Sequence, residues 1–156
     1  MGELCTILHS SPVFARLRRL HLASNTFNLS SLRTLCGYME EHPSFLLQLE
    51  VLGLTNNHLC QDDDSLSLAG CLLSVLRLRS RTIRRLHLNH VGIHADDVVE
   101  ILSFLMNKIH SGGFPSLDKL YLKQNEELNA SELNRELSAR FTDTVVTDFL
   151  KKYVLL

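Results

Sequence analysis

The amino-acid sequence predicts an α/β fold in which short parallel strands alternate with helices in stacked, repeating units. Leucine supplies 33 of the 156 residues, and tryptophan is absent. A bias toward one aliphatic residue indicates repetition rather than a mixed core. A strand-like leucine pattern occurs four times, and its second leucine lies at positions 20, 52, 86 and 120. Such near-constant spacing is a specific sign of a repeat architecture.

The repeated strand pattern has the form LxxLxLxxN and begins at Leu17, Leu49, Ile83 and Leu117. Its two central leucines point to one side of a short strand, and the residues between them point to the other. The asparagine is expected to end the strand, where its amide satisfies backbone groups at the turn. The third copy has Val91 instead, which predicts an irregular exit from its strand. Because no unit can bury its leucine face alone, neighbours are expected to stack.

Helical spacing of apolar residues predicts helices over residues 31–41, 65–78 and 95–109. The residues expected to face the core are Leu32, Leu35, Met39, Leu68, Leu72, Val75, Leu76, Val98, Val99, Leu102, Leu105, Met106 and Ile109. Acidic residues 62–64 and 96–97 lie at two of the helix starts, where they favour the positive end of the helix dipole. They are interpreted as capping and solvating residues rather than as a cation site.

The two ends of the chain carry further elements. Residues 3–10 are expected to be the end of a helix, and residues 131–141 a short helix with Leu133 and Leu137 inward. The β-branched run 144–149 predicts a fifth, edge strand. The last residues, 151–156, are expected either to cap the core or to continue into further sequence. A helix that precedes the first strand pattern predicts that the chain is a piece of a longer array.

The LxxLxLxxN pattern resembles the leucine-rich repeat of the ribonuclease-inhibitor type, also found in NOD-like receptors, Ran GTPase-activating protein and tropomodulin. The resemblance covers about residues 12–137. It implies one solenoid domain, 1–156, bent into a horseshoe arc, with parallel strands on the concave face and helices on the convex face. The repeats are expected at about 12–42, 43–78, 79–111 and 112–141, with 142–156 as an edge strand or cap. They exceed the 20–29 residues usual for the class, which predicts lengthened helices.

Composition and motifs exclude several function classes. The net charge of −1 gives no general attraction to nucleic acid or anionic membranes. The sequence has no secretory signal and no apolar run of about 18 residues, so a soluble, cytoplasmic or nuclear protein is expected. Four cysteines without a CxxC pair are expected to be reduced thiols, two of them buried in helices. No phosphate-binding loop or hydrolase motif occurs, so neither an enzyme nor a cofactor is expected.

One group of residues allows a metal site as an alternative. Cys60 and His94 follow equivalent apolar positions of neighbouring repeats, and His58 and His90 lie close in sequence. Together they could bind zinc. However, His90 and His94 are four residues apart in a loop rather than on a helix. Exposed histidines beside a partly buried thiol are therefore the favoured interpretation, and no metal is expected.

The outward strand positions carry the functional hypothesis. They are Arg19, His21, Ala23, Val51, Gly53, Thr55, Arg85, His87, Asn89, Lys119, Tyr121 and Lys123. None of these twelve positions is acidic, whereas residues 62–64, 96, 97, 126 and 127 place acidic side chains on the loop-to-helix side. The expected contact residues are Arg19, His21, Arg85, His87, Asn89, Lys119, Tyr121 and Lys123. A basic face with arginine and tyrosine as anchors suits an acidic protein surface or peptide. Two alternatives stay open: polar side chains that merely solvate the sheet, and binding through the convex face, an edge or further repeats.

The sequence therefore predicts a protein-interaction module without a small-molecule substrate. The resemblance implies the recognition arm of a ubiquitin ligase or a regulatory scaffold. A GTPase-activating surface similar to that of Ran GTPase-activating protein is an alternative, although the chain lacks the long acidic tail of that family. Nucleic-acid binding is disfavoured because Tyr121 is the only tyrosine among the outward positions and offers little base stacking.

Overall fold

A computed structural model describes residues 1–12, 14–59, 67–112, 116–126 and 128–156. The acidic run 62–64, the Cys60 thiol and the Glu127 carboxylate, all of which entered the predictions, lie outside these residues. Within the described ranges, no helix is long and apolar enough to cross a bilayer.

The strands form one parallel sheet, and their spatial order follows their order in the chain. The central leucines of the four sequence copies are direct neighbours, since Leu20 pairs with Leu52, Leu52 with Leu86, and Leu86 with Leu120. The expected α/β class with parallel strands is therefore confirmed. The strands are β1 (Arg19–His21), β2 (Val51–Gly53), β3 (Arg85–His87), β4 (Lys119–Tyr121) and β5 (Val154–Leu155).

One helix precedes β1 and the others lie in the intervals between strands, and each helix packs against the next one along the chain. Right-handed crossovers between sequential parallel strands place such helices on one face of the sheet. The helices are α1 (Gly2–Ser10), α2 (Leu29–Glu41), α3 (Leu68–Leu78), α4 (Ala95–His110), α5 (Ala130–Ser138) and α6 (Asp143–Tyr153), and a 3-10 turn covers Phe14–Arg16.

The hydrophobic core lies between the helices and the sheet. Every apolar residue predicted to face inward from a helix is buried, except Ile109, which is half-buried against the core. Three cysteines, Cys5, Cys36 and Cys71, are buried in α1, α2 and α3 as free thiols, one more than expected.

The acidic pair Asp96 and Asp97 lies in the first turn of α4, as predicted. Asp97 also reaches the neighbouring helix, because its carboxylate accepts a hydrogen bond of 3.0 Å from the Ala69 backbone N–H in the first turn of α3. One side chain thus stabilises the positive ends of two helices.

The strand exits share one backbone conformation. Ser24, Asn56, His90 and Gln124 occupy equivalent positions and have left-handed φ angles of 55°, 56°, 52° and 59°. The prediction of an irregular exit beside Val91 is therefore wrong.

The turn beside Val91 is regular because an asparagine of this pattern can bind the backbone of the preceding copy. Asn125 accepts hydrogen bonds from the Val91 and Gly92 N–H groups and donates to the Leu88 carbonyl, so it binds the turn of the preceding copy. The turn after β3 is therefore stabilised by Asn125 of the fourth copy, so the third copy does not require an asparagine at position 91.

The prediction of a strand over residues 144–149 is also wrong, because this run belongs to α6. Val146 and Phe149 lie three residues apart and are both buried, so the segment covers the core as one helical face. This packing outweighs the β propensity of its threonines and valines. The fifth strand, β5, follows directly and pairs with β4 within the predicted segment 142–156.

Candidate functional site

The candidate site is the sheet face that points away from the helices, here called the outer face. In β1, Arg19 and His21 are exposed on this face while Leu20 between them is buried. The strand register aligns the outward residues into two rows that run across the strands. The first, the cationic row, consists of Arg19, Val51, Arg85 and Lys119. The second, the ring row, consists of His21, Gly53, His87 and Tyr121.

The structure brings the predicted contact residues together. Six of the eight belong to the two rows, and the remaining two, Asn89 and Lys123, follow β3 and β4. Asn89 accepts a hydrogen bond of 2.8 Å from the Lys123 backbone N–H, so these two residues are joined. Arg19, His21, Arg85 and Lys123 are exposed, whereas His87, Asn89, Lys119 and Tyr121 are half-buried.

The ring row forms a nearly continuous set of aromatic contacts. The His87 and Tyr121 rings are stacked, with centroids 4.1 Å apart and an interplanar angle of 5°. The His21 and His87 ring centroids are 5.9 Å apart, although these residues lie two strands apart, about 9.6 Å by ordinary strand spacing.

Gly53 explains the close approach of the two histidines. A Cβ atom at this position would lie 2.5 Å from His21 Nδ1, so the imidazole occupies the space above the glycine. The leucine pattern predicts that Gly53 faces outward, but it predicts no role for this residue. The signal was available, because a glycine inside a strand often marks a close approach of another group.

The stacking also decides what the rings offer to a partner. Because His87 and Tyr121 stack across the strands, one face of each ring is covered by the other ring. Ring edges, which carry positive partial charge, and the polar N–H and O–H groups are left for an incoming molecule. These edges and polar groups can bind hydrogen-bond acceptors and anions.

The cationic row adds formal positive charge beside the rings. Within the described part of the chain, neither Arg19 nor Arg85 pairs with a carboxylate. Lys119 is held differently, since its ammonium group donates a hydrogen bond to the Lys152 carbonyl near the end of α6.

Two acidic residues that directly precede strands of this sheet are paired with arginines. Glu50 pairs with Arg18 at 3.0 Å, and Asp118 pairs with Arg84 at 3.7 Å, all one residue before a strand. Exposed pairs of this kind contribute little stability, but they keep these carboxylates beside their own arginines.

The charge pattern acts on His87. Burial, together with the nearby His21 and Arg85, lowers the pKa of His87 from its ordinary value. A neutral imidazole at pH 7 has one nitrogen that donates a hydrogen bond and one that accepts.

The alternative metal group receives no support from the described residues, which contain no cluster of three or more histidine, cysteine or carboxylate ligands. His58, His90 and His94 are exposed, and His90 Nδ1 lies 3.2 Å from Asn56 Oδ1. His58 and His90 line a cavity of about 220 Å³ beside the turns that follow the strands. Cys60 lies outside the described residues.

Comparison with protein-family models finds no family that matches the chain, and comparison with curated proteins finds no match either.

Proposed function

We propose that the chain is a leucine-rich-repeat module that binds an acidic segment of another protein through its outer face. The repeat assignment is supported by the leucine pattern, whose equivalent residues are neighbours in the sheet. The recurring left-handed residue after each of the first four strands supports it further. An arc with a concave strand face follows from the same assignment.

The observation that carries the binding proposal is the ring row beside a cationic row with no carboxylate in either. Positive surface potential attracts and orients an acidic partner, while tyrosine and arginine are the side chains that most often dominate binding energy. A face that only solvated the sheet would not require Gly53 or a stacked His87–Tyr121 pair.

The size of the face limits the kind of partner. Four strands at about 4.8 Å spacing span roughly 14 Å between the first and the fourth. A standard-size interface needs about 800 Å² from each partner, which is more than a face of this width with three-residue strands provides. A short acidic peptide or one face of a helix is therefore the proposed ligand. By resemblance, such a ligand belongs to a substrate of a ubiquitin ligase or to a protein held on a regulatory scaffold.

The ring geometry disfavours nucleic acid as the partner. Base recognition by aromatic side chains uses their flat faces. In the ring row, the mutually facing sides of His87 and Tyr121 are already occupied.

The proposal can be tested with a fluorescein-labelled peptide of ten glutamates as a defined acidic probe. Wild-type chain is expected to bind it with an affinity that falls as salt increases, because exposed charges are screened. The R85E/K119E variant is expected to lose at least about tenfold in affinity, since each site reverses one charge beside the probe.

The matched control is R77E/K108E, which makes the same change in net charge at exposed positions on helices α3 and α4. It is expected to bind nearly as the wild type does. Equal losses in the two double variants, or no binding of the probe by the wild type, would contradict the proposal.

A further inference from the structure

His87 occupies the centre of the outer face, and its neighbours on both sides are rings. Tyr121 stacks on it at 4.1 Å between ring centroids, and His21 approaches to 5.9 Å from the other side. Its ring nitrogens are therefore the atoms that an incoming polar group meets.

The charged and titratable groups around His87 are cationic, histidine or tyrosine on every strand that faces it. β1 contributes Arg19 and His21, and β2 contributes no ionisable side chain. β3 contributes Arg85, and β4 with the turn after it contributes Lys119, Tyr121 and Lys123. Beyond β4, the last turn of α6 carries Lys151, Lys152 and Tyr153, and the Lys152 carbonyl accepts the hydrogen bond from Lys119.

In the free chain this environment opposes a charge on the imidazole. Burial is the largest cause of the lowered pKa of His87, and His21 and Arg85 lower it further. An arriving carboxylate reverses the balance, because it supplies both a negative charge and a hydrogen-bond acceptor.

We infer that a carboxylate of the acidic partner binds at the ring edge of His87, between Arg85 and Tyr121, and that His87 takes up one proton from solvent as it binds. The inference rests on the proposed function, which supplies the acidic partner. The proton adds to the free imidazole nitrogen, and the resulting imidazolium donates a hydrogen bond to the carboxylate. No covalent bond of the partner changes.

The direction of the pH dependence follows. Binding raises the pKa of His87 above its value in the free chain, which itself lies below 6.5. Affinity therefore increases as the pH falls through the interval between the bound and the free value, and it levels off below the free value. A shift of one pKa unit gives at most about tenfold tighter binding.

The experiment measures the affinity of the labelled deca-glutamate peptide from pH 8.0 to 5.5 at constant ionic strength. Wild-type chain is expected to bind several-fold more tightly at the acidic end, whereas H87Q is expected to vary much less. Any titration of the peptide itself is common to both proteins. H110Q, which changes an exposed histidine at the end of α4, is expected to behave as the wild type does.

A second measurement uses wild-type chain alone, so it does not depend on how H87Q folds. The His87 ring-proton resonance is titrated by NMR without the peptide and with saturating peptide, and the midpoint is expected to rise on binding.

The outcomes separate the two proposals. Binding with the same pH dependence in wild type and H87Q, or an unchanged His87 midpoint, overturns the proton uptake and leaves the proposed function standing. Absence of peptide binding at every pH refutes the proposed function and, with it, the inference.

Discussion

Replacing Asn57 with alanine is expected to destabilise the chain far more than the same change at Asn25, although both occupy the same position of the repeat. The Asn57 amide oxygen accepts hydrogen bonds from the Asn25 and Phe27 N–H groups at 3.1 and 3.3 Å. Its nitrogen donates to the Leu22 and Leu54 carbonyls, both at 2.8 Å, and to the Thr55 carbonyl at 3.3 Å.

The magnitude follows from which of these partners are buried. The bonds to Phe27 and Leu54 are buried, so water cannot replace the lost amide there. Each unsatisfied buried group costs about 1–3 kcal/mol, which gives a loss of about 3 kcal/mol for N57A. Asn25 is exposed and donates one hydrogen bond, to the Ala23 carbonyl, so N25A should cost less than about 1 kcal/mol.

Urea unfolding followed by circular dichroism measures both variants. With a slope of about 1.5–3 kcal/mol per molar urea, N57A is expected to lower the midpoint by about 1–2 M and N25A by a few tenths. Equal shifts for the two variants, or a loss below about 1 kcal/mol for N57A, would show that the Asn57 amide does not join neighbouring copies of the pattern as described.

Three further predictions concern the outer face and the core. G53A is expected to push the His21 ring away from its place above the strand and to weaken binding of the deca-glutamate peptide several-fold, with an unchanged circular dichroism spectrum; unchanged affinity would refute the role given to Gly53. R79M removes a buried guanidinium that donates to the Pro43, Phe45 and Leu46 carbonyls, so it should cost about 3 kcal/mol in urea unfolding, while R81M at an exposed position should cost almost nothing. Since the pKa of His87 is lowered by folding, the unfolded chain binds its proton more readily, and stability is expected to fall as the pH drops from about 7.5 through 6.5 toward the folded value. Melting temperatures at pH 7.5 and 5.5 should therefore differ more for the wild type than for H87Q, and equal differences would contradict this contribution.

Local sequence patterns predicted the helices that bury an apolar face. The spacing of Leu32, Leu35 and Met39 required one side of a helix to be covered, and all three are buried in α2. The same logic failed at residues 144–149, where β-branched residues favour a strand locally. This segment forms a helix because it packs against α5 and the sheet, and the local sequence pattern does not contain these contacts.

The candidate site was predictable as a list of residues but not as an arrangement. Alternation along each strand fixed that His21, His87 and Tyr121 point outward. Their contact depends on the register of separate strands and on the empty space above Gly53, which are properties of neighbours in the sheet.

By itself, the sequence determined the repeat spacing, the strand positions and the basic character of the outward residues. These follow from the recurrence of the leucine pattern along the chain and from the alternation of residues within each strand. Only the tertiary structure decided which residues at equivalent positions differ in burial and in hydrogen bonding. Asn57 is buried where Asn25 is exposed, and Val91 needs no amide because Asn125 supplies one. The physical reason is that each turn is completed by the unit stacked after it, so the energy of a residue depends on a neighbour more than thirty positions away.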